Sequence, residues 1–445
     1  MKLWDKEKKT EEAVMKFTVG NDQSFDKLLA PYDIIGSMAH AIMLGKTGLL
    51  KQEEAQQVLR ELADYYPKTK SPSFALDPDD EDIHSHLENH LVNTLGDPGK
   101  KIHTARSRND QVMTAMLLLM KEELRLVLED ADVLFDTLIS QAALYNKYLL
   151  PGYTHTQVAM PSSFALWLGA YAESLVNDLQ LISGILKVID QNPLGSAAGY
   201  GSSFPIDREL TTRLAGFSAL QVSAVSAQLN RGKMEMHMAT GLSSLANTMS
   251  RLAADMILFM SQDLHFISFR DELTTGSSIM PHKKNPDVLE LVRAHCNTIM
   301  AMPATLNGLT ANLISGYHRD LQLTKEILVP GISKTKQCLQ MMALMTSSMV
   351  PRDHILEDPK YALVFSVEAV NRKVMEGTPF RDAYREVASE IESGAYKSSG
   401  KTEYTHTGSI GNPGLELIKG KMHAARSALQ IRPAEKIFEE LKHYV

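Results

Sequence analysis

The sequence has few cysteines and no excess of basic residues. Only Cys296 and Cys338 occur in 445 residues, and both lie in apolar, helix-like contexts, which favours buried thiols in a reducing compartment over a disulfide framework. Lys and Arg number 46 against 53 Asp and Glu, for a net charge of -7. A protein that contacts many nucleic-acid phosphates needs the opposite balance, so nucleic acid is not an expected partner.

Long apolar runs are also missing. No window approaches the roughly 18 uninterrupted apolar residues of a membrane-spanning helix. The first twenty residues, MKLWDKEKKTEEAVMKFTVG, scatter charges through what would have to be the apolar part of a signal peptide. We therefore expect a cytoplasmic protein without a membrane partner.

Helical periodicity is the dominant pattern. Residues 110–145 contain neither Gly nor Pro and repeat apolar side chains at helical spacing. Four more long helices are predicted: from Pro161-Ser162 to just before Asn192, over 218–268, from Pro286 after an Asn285 N-cap, and over about 320–349 with an interruption at Pro330-Gly331. The predicted fold is all-α, with a central bundle of five long helices at 106–350 between smaller helical domains at 1–105 and 351–445.

The apolar surface of these helices predicts self-association. Helices this long cannot bury all their apolar stripes within one chain. The 23 methionines are typical of extensive, irregular packing between helices. We expect a homo-oligomer built on the central bundle.

Three polar segments rich in Gly or Pro lie next to predicted helix starts: HTARSRNDQ (103–111), LPGYTHTQVAMP (150–161) and TTGSSIMPHKKNPD (274–287). Helix N-termini favour anions, so the three segments together could form one anion site. Arg108 offers a bidentate fork for a carboxylate, His155 an acid or base, and Lys283 a fixed positive charge. The simpler alternatives are that Ser107 and Asn109 only cap a helix, that His155 is solvated, and that 274–287 is an exposed flexible loop.

His86 and His90 are one helical turn apart, the spacing of two zinc ligands. The His-Glu-x-x-His pattern is absent, so a polar helix face is the favoured interpretation. No metal site is predicted.

The segment GSSIMPHKKNPD at 276–287 resembles the signature of the fumarase and aspartase superfamily, and the long central helices agree with that resemblance. Within the superfamily, HTARSRNDQV, GYTHTQ, PLGSAAGYGSSFPIDR, GYHRDLQLTKE, LAPYDIIGSMAHA and EDIHSHLE resemble argininosuccinate lyases, over roughly residues 28–330. The resemblance implies reversible β-elimination of argininosuccinate to arginine and fumarate, without metal or organic cofactor. It also implies a homotetramer whose active sites combine loops from different subunits.

The resemblance assigns chemical roles to four residues. Ser277 matches the base that removes a proton next to a carboxylate, and Lys283 matches a cation that stabilises the resulting doubly negative aci-carboxylate. A serine hydroxyl is a poor base, so neighbouring charge and exclusion of water are needed to activate it. His155 matches the acid at the leaving nitrogen, and Glu290 matches the carboxylate that orients the imidazole.

The remaining site residues match substrate contacts. Arg108, Asn109 and Thr154 match contacts on the fumarate side, and Asn285 assists Lys283. Tyr317, Gln322 and Lys325 match contacts to the carboxylates and the amino-acid end of the substrate, and His84 matches a further residue of the site lining.

The sequence departs from the family pattern at the rim of the site. The usual Gly-Gly-Arg-Phe does not follow Trp4, and Asp22 stands where a substrate-contacting Ser is usual. Thr156, Val158 and Met160 replace Leu, Arg and Gln after the Thr-His pair, and Asn230-Arg231-Gly232 replaces Asp-Arg-Asp.

Two other functions stay open. Adenylosuccinate lyase shares the succinyl chemistry but needs a phosphate and purine site, and RSRNDQV and GYHRDLQ argue against it. A relative that has lost catalysis and become structural is expected to lack Ser277, His155 or Lys283, and none of the three is lost.

Overall fold

The computed structural model describes residues 12–77, 80–398, 400 and 404–445, and within them α-helix dominates. Trp4 and the segment around it lie outside the described residues. The helices that precede the central bundle are α1 (Glu12–Val19), α2 (Asp22–Lys46), α3 (Gln52–Thr69), α4 (Ile83–Leu95) and α5 (Asp97–Lys101).

The central part contains the five long helices together with shorter elements. In chain order it comprises α6 (Arg108–Leu144), β1 (Leu149–Thr154), β2 (Gln157–Ser163), α7 (Phe164–Ile189), β3 (Gln191–Asn192), α8 (Arg208–Leu214), β4 (Ala219–Leu220), α9 (Ala224–Leu229), α10 (Lys233–Phe259), β5 (Ile267–Ser268), a 3-10 turn (Asp271–Leu273), α11 (Asp287–Thr310), a second 3-10 turn (Arg319–Leu323) and α12 (Thr324–Ser348).

The last part of the chain has shorter elements. They are β6 (Val350–Pro351), 3-10 turns at Ile355–Glu357 and Pro359–Phe365, α13 (Ser366–Met375), α14 (Phe380–Glu392), α15 (Leu415–Ser427) and α16 (Ala434–Lys442). Helix α15 packs on α7 and α16 packs on α2, so this part folds back onto the rest.

The predicted all-α class and the bundle of five long helices are confirmed. Helix α10 packs against α11 and α7, and α6 packs against α12, α7 and α2. One large core runs from Leu29 on α2 to Leu441 on α16, while Val370, Ala383 and Val387 form a small separate cluster. The division into domains at 105/106 and 350/351 stays a prediction.

The helix predicted over 218–268 was too long. The chain forms the short helix α9 first, and α10 begins only at Lys233 because Gly232 has a φ of +80°. A Cβ on Gly232 would lie 2.4 Å from Thr310 Cγ2, so the close approach of α11 requires glycine here. The backbone N–H of Gly232 donates to the side chain of Glu235, which caps α10.

Two predictions about prolines in the long helices were also wrong. Helix α12 continues without interruption through Pro330. The proline N cannot donate to the carbonyl of Glu326, but Leu328 and Ile332 on either side are fully buried, and this packing outweighs one lost hydrogen bond. Pro286 precedes α11 rather than opening it, because Asn285 pairs with Thr275 instead of capping.

The segment 150–161, predicted as a loop, is an antiparallel hairpin of β1 and β2. Pro151 lies opposite Pro161 next to a register shift, where neither proline has to supply a ladder hydrogen bond. His155 and Thr156 form the turn with φ of +53° and +61°, as in the turns that match the twist of a two-stranded ribbon. The remaining strands are two residues long: β3 pairs with β4 in parallel and β5 with β6 antiparallel.

Helix α2 is a sixth long helix, beyond the five predicted from the sequence. Its length and mean hydropathy of 1.3 would suffice to cross a membrane, but 83% of its most apolar window is buried inside the protein. It packs against α3 and α6. The apolar side chains of α2 therefore form part of the protein core.

Asp110 connects the start of α6 to a glycine-rich loop. The carboxylate is fully buried and accepts hydrogen bonds from the backbone N–H groups of Ser107 (3.0 Å), Gly195 (2.9 Å) and Ala197 (2.8 Å). Burial raises the pKa of Asp110 to about 6, against the effect of these donors. One side chain thus fixes both the first turn of α6 and the loop after Pro193.

We predict that Asp110→Ala strongly destabilises the protein, because three buried N–H groups lose their acceptor. Each such loss costs about 1–3 kcal/mol, so the free energy of unfolding should fall by about 3 kcal/mol or more. Thermal unfolding measures the effect. Asp97→Ala, which removes an exposed first-turn aspartate of α5, is the control. Equal midpoints for the two variants would contradict the structural role of Asp110.

Candidate active site

A charged pocket lies where four helices begin. It is an open cavity of about 180 Å³. Asp22 is the first residue of α2, Arg108 the first of α6, and His84 and Lys325 are the second residues of α4 and α12. Helix N-termini carry partial positive charge, so the pocket suits a ligand with several carboxylates. Its lining comprises Asp22, Asp26, Glu81, Asp82, His84, Arg108, Asn109, Val112, Arg231, Tyr317, Arg319, Gln322 and Lys325.

Arg108 occupies one wall and is held by acidic neighbours. Its Nη1 lies 3.3 Å from Asp82 Oδ2 and 3.5 Å from Glu81 Oε2, and its Nη2 donates to Ser85 Oγ at 2.8 Å. Arg319 contacts the other oxygen of Glu81 at 3.3 Å. Glu81 therefore fixes the positions of two guanidinium groups that face the cavity.

Lys325 forms the centre of a buried cluster. Its side chain is only 7% exposed, and its Nζ lies 2.5 Å from Asp22 Oδ1 and 2.7 Å from Asp26 Oδ1. Burial alone would lower the pKa of Lys325, but Asp26 and Asp22 together raise it. The other oxygen of Asp26 accepts a hydrogen bond from the backbone N–H of Ile83. The cluster thus ties the beginnings of α2, α4 and α12 to each other.

His84 forms a buried pair with a carboxylate. Its Nδ1 lies 3.1 Å from Asp33 Oδ1, and Gln111 donates to both oxygens of Asp33 at 2.8 and 3.1 Å. Burial alone would lower the pKa of His84, but Asp33, Asp82 and Asp26 raise it above 6.5. The Nε2 atom has no hydrogen-bond partner among the described residues, and the residue lines the pocket. His84 can therefore offer a positive N–H to a ligand.

Arg231 differs from the other cations of the pocket. Its guanidinium lies 4.8 Å from the centre of the Tyr317 ring, in a cation–π arrangement. In the described part of the chain, no carboxylate lies within ion-pair distance of it. Arg231 is thus available to a carboxylate of a ligand.

Ser277, Lys283 and Asn285 lie on an exposed segment before α11. Thr275 and Asn285 close its base through two backbone hydrogen bonds of 3.3 and 2.8 Å. Ser277 Oγ accepts from the backbone N–H of Met280 at 3.1 Å. Lys284 forms an ion pair with Asp271, whereas no ion pair of Lys283 occurs among the described residues. Lys283, the lysine that the resemblance assigns to catalysis, is therefore the one of the two without an ion pair in this part of the structure.

His155 lies at the exposed tip of the hairpin, next to Thr154 at the end of β1. Two successive non-glycine residues in the left-handed region cost roughly 1–2 kcal/mol each. This turn holds the imidazole away from the body of the chain. Glu290, in the first turn of α11, is also exposed.

The pocket brings together six of the twelve predicted site residues: His84, Arg108, Asn109, Tyr317, Gln322 and Lys325. The six that do not line it are Thr154, His155, Ser277, Lys283, Asn285 and Glu290. The three helix-start segments therefore do not form one anion site within this pocket.

Sequence reasoning gave no role to several residues that shape the pocket. Asp33, Glu81 and Arg319 lie inside the quoted motifs LAPYDIIGSMAHA, EDIHSHLE and GYHRDLQLTKE, but only the structure reveals their contacts. The sequence gave even less indication of a role for Asp26, since this residue lies just before the motif LAPYDIIGSMAHA and outside all three motifs. The pairing of Lys325 with Asp22 and Asp26 spans about 300 positions, and no spacing rule reports it.

The two histidines weighed as zinc ligands have separate partners. His86 Nδ1 lies 2.7 Å from Asp80 Oδ2, and His90 Nε2 lies 2.6 Å from Glu61 Oε1. Over the described ranges, no group of three or more His, Cys, Asp or Glu side chains is arranged to hold a metal ion. Cys296 and Cys338 are both buried and free of a disulfide bond, as expected from the sequence.

Comparison with known proteins finds lyases, both by family model and by individual relatives. A family model described as "Lyase" matches residues 5–301. The argininosuccinate lyase of Phocaeicola vulgatus is 50% identical over 92% of both chains, and that of Parabacteroides distasonis is 48% identical over 99% of both. The argininosuccinate lyase of Thermotoga neapolitana is 42% identical over 87% of this chain and 97% of its own.

Solved structures share the fold. The crystal structure of EDDS lyase in complex with formate has a TM-score of 0.75 and 20% identity, over 98% of this chain and 95% of that one. The class II fumarase of Schistosoma mansoni has a TM-score of 0.68 and 17% identity, over 86% and 92%. At this level of identity the comparison establishes the architecture.

We predict that the stabilising effect of His84 depends on pH. A histidine whose pKa is raised by folding contributes stability that is fully present below the unfolded value of 6.5 and is lost as the pH rises through the folded pKa. The thermal midpoint of His84→Gln should therefore fall further below wild type at about pH 6 than at about pH 9. His423→Gln, an exposed histidine on α15, is the control. A difference for His84→Gln that is constant with pH would contradict the charged pair.

Proposed function

The chain belongs to the argininosuccinate lyase family of the fumarase and aspartase superfamily, and we propose that it catalyses the reversible β-elimination of argininosuccinate to arginine and fumarate. In a cell this is the arginine-forming step of arginine biosynthesis, and we place it in the cytoplasm. The observation that carries the proposal is the charged pocket at four helix N-termini, in a chain that retains Ser277, Lys283, His155 and Glu290.

The reaction removes a proton from the carbon next to a carboxylate before the C–N bond breaks. We assign Ser277 as the base and Lys283, with Asn285, as the cation that stabilises the doubly negative intermediate. His155, oriented by Glu290, delivers a proton to the leaving nitrogen. The electron pair of the C–H bond forms the double bond of fumarate, and the guanidino nitrogen leaves as part of arginine.

The pocket supplies the binding contacts. Arg108 and Asn109, with Thr154, are assigned to the fumarate side, and the fixed position of Arg108 over Glu81 and Asp82 supports this role. Tyr317, Gln322 and Lys325 are assigned to the amino-acid end, and His84 offers a further N–H to a carboxylate. Three carboxylates of the substrate thus meet a pocket with several cations.

We also propose a homotetramer whose active sites combine residues from different subunits. The supporting observation is that the reactive residues lie on exposed segments outside the pocket: Ser277 and Lys283 on one, His155 on another. Exposed apolar residues on the long helices, such as Val133, Leu144, Leu258 and Leu291, provide surface for the association. Assembly then excludes water from the serine and the imidazole.

The proposed reaction is tested by the release of fumarate. Purified protein incubated with argininosuccinate should produce fumarate, followed by its ultraviolet absorbance. Turnover of adenylosuccinate instead would favour the purine-specific alternative, and inactivity on both would favour a structural relative.

We predict that Ser277→Ala abolishes turnover and leaves the oligomer intact, because the base is lost while the half-buried hydroxyl has no structural partner beyond its own loop. Ser278→Ala, which removes the neighbouring exposed hydroxyl, is the matched control and should stay active. Near wild-type rates for Ser277→Ala would remove this residue from the mechanism.

Shared sites are tested by mixing two inactive variants. Ser277→Ala and His155→Asn, dissociated and reassembled together, should regain part of the activity, because some sites in the mixed oligomer receive both intact residues. Each variant reassembled alone controls for residual activity. If the mixture stays as inactive as its components, the two residues act from one chain.

A further inference from the structure

The cluster around Lys325 contains two carboxylates and one ammonium group. In the described part of the chain, Lys325 is the only cation within ion-pair distance of Asp22 and Asp26. The three side chains are largely buried, with Asp26 at 1% and Asp22 at 16% exposure. With two carboxylates and one ammonium group, the cluster therefore keeps one negative charge that these contacts do not neutralise.

The excess charge is accessible at Asp22. Asp22 lines the pocket and is more exposed than Asp26, and Lys325, at its Oδ1, is the one donor to its side chain among the described residues. Asp26 has no such free position, since its second oxygen accepts from Ile83 N–H. A cationic group entering the pocket thus meets Asp22 rather than Asp26.

We propose that Asp22 binds the α-ammonium group of the substrate and so selects ligands with a free α-amino group, an inference that rests on the proposed lyase function. In this arrangement Lys325, itself assigned to the amino-acid end, also holds Asp22 in place, and two carboxylates then face two ammonium groups. The raised pKa of Asp22, caused by burial and by Asp26 and Asp82 against the attraction of Lys325, fits a carboxylate that still lacks a counter-charge.

The substrate has a second cation, the guanidinium group, but this group belongs on the fumarate side. The bond that breaks joins a guanidino nitrogen to the succinyl group, so the guanidinium has to lie within reach of Ser277 and His155. It is therefore bound next to the succinyl group, on the fumarate side assigned to Arg108 and Asn109, and not at Lys325 and Asp22. The α-ammonium group lies at the other end of the arginine chain, beside an α-carboxylate for which Arg231 on Tyr317 is available.

The competing interpretation is structural: Asp22 stabilises the first turn of α2 and neutralises Lys325. Both interpretations predict that mutation of Asp22 weakens ligand binding and activity. The experiment therefore has to compare ligands with and without the α-amino group. L-Arginine and 5-guanidinopentanoate differ only in the α-amino group. Their inhibition constants for argininosuccinate cleavage, and their dissociation constants by titration calorimetry, separate the two roles.

Wild type should bind L-arginine more tightly than 5-guanidinopentanoate by about 10- to 100-fold, the effect of one charge-assisted hydrogen bond. In Asp22→Asn this preference should disappear, because arginine binding weakens by that factor and binding of the analogue changes little. Asp97→Asn removes a first-turn aspartate with a lysine partner on α5 and should behave as wild type. Calorimetry gives the answer even if the variant is inactive.

An equal loss of affinity for both ligands in Asp22→Asn, or no preference in wild type, would overturn the assignment of Asp22 while leaving the lyase function intact. Failure of the wild-type protein to release fumarate from argininosuccinate would overturn the proposed function and this inference with it.

Discussion

The contact of Lys325 with Asp22 and Asp26 determines where the pocket forms. It joins the first turns of α2 and α12, which lie about 300 residues apart in the chain, and Asp26 adds the start of α4. Such a pair contributes little net stability, because desolvation offsets much of the attraction. Its effect is geometric. It brings helix N-termini to one point and fixes the charges of the pocket before a ligand arrives.

The site has a fixed part and an exposed part. The proposed binding residues His84, Arg108 and Lys325 sit at helix starts and are held by ion pairs, such as Arg108 with Glu81 and Asp82. The proposed reactive groups, Ser277, Lys283 and His155, lie on a loop and a hairpin tip. This division suits the proposed chemistry, since a serine base needs a dry environment that an exposed loop acquires only when another surface covers it.

Local patterns in the sequence predicted the helices well, because periodicity reports which face of a helix is buried. The capping of α6 by Ser107 and the long helices around it followed from such patterns. Errors occurred where contacts between distant segments decided the outcome. Pro330 stays helical because of packing, α10 begins only after Gly232, where α11 approaches closely, and 150–161 forms a hairpin although its prolines obscure the alternation.

The candidate site shows the same limit more sharply. The resemblance assigns His84, Arg108 and Lys325 to the substrate site, and all three line the charged pocket, while their contact with substrate stays a prediction. What the motifs could not reveal is how each charge is already compensated. Lys325 appeared in the sequence as a free cation for a carboxylate, but two aspartates occupy it, whereas Arg231 has no carboxylate partner in the described part of the chain. The ligand groups that a pocket favours depend on its uncompensated charges, and these arise only when the folded chain brings Asp22 and Lys325 together.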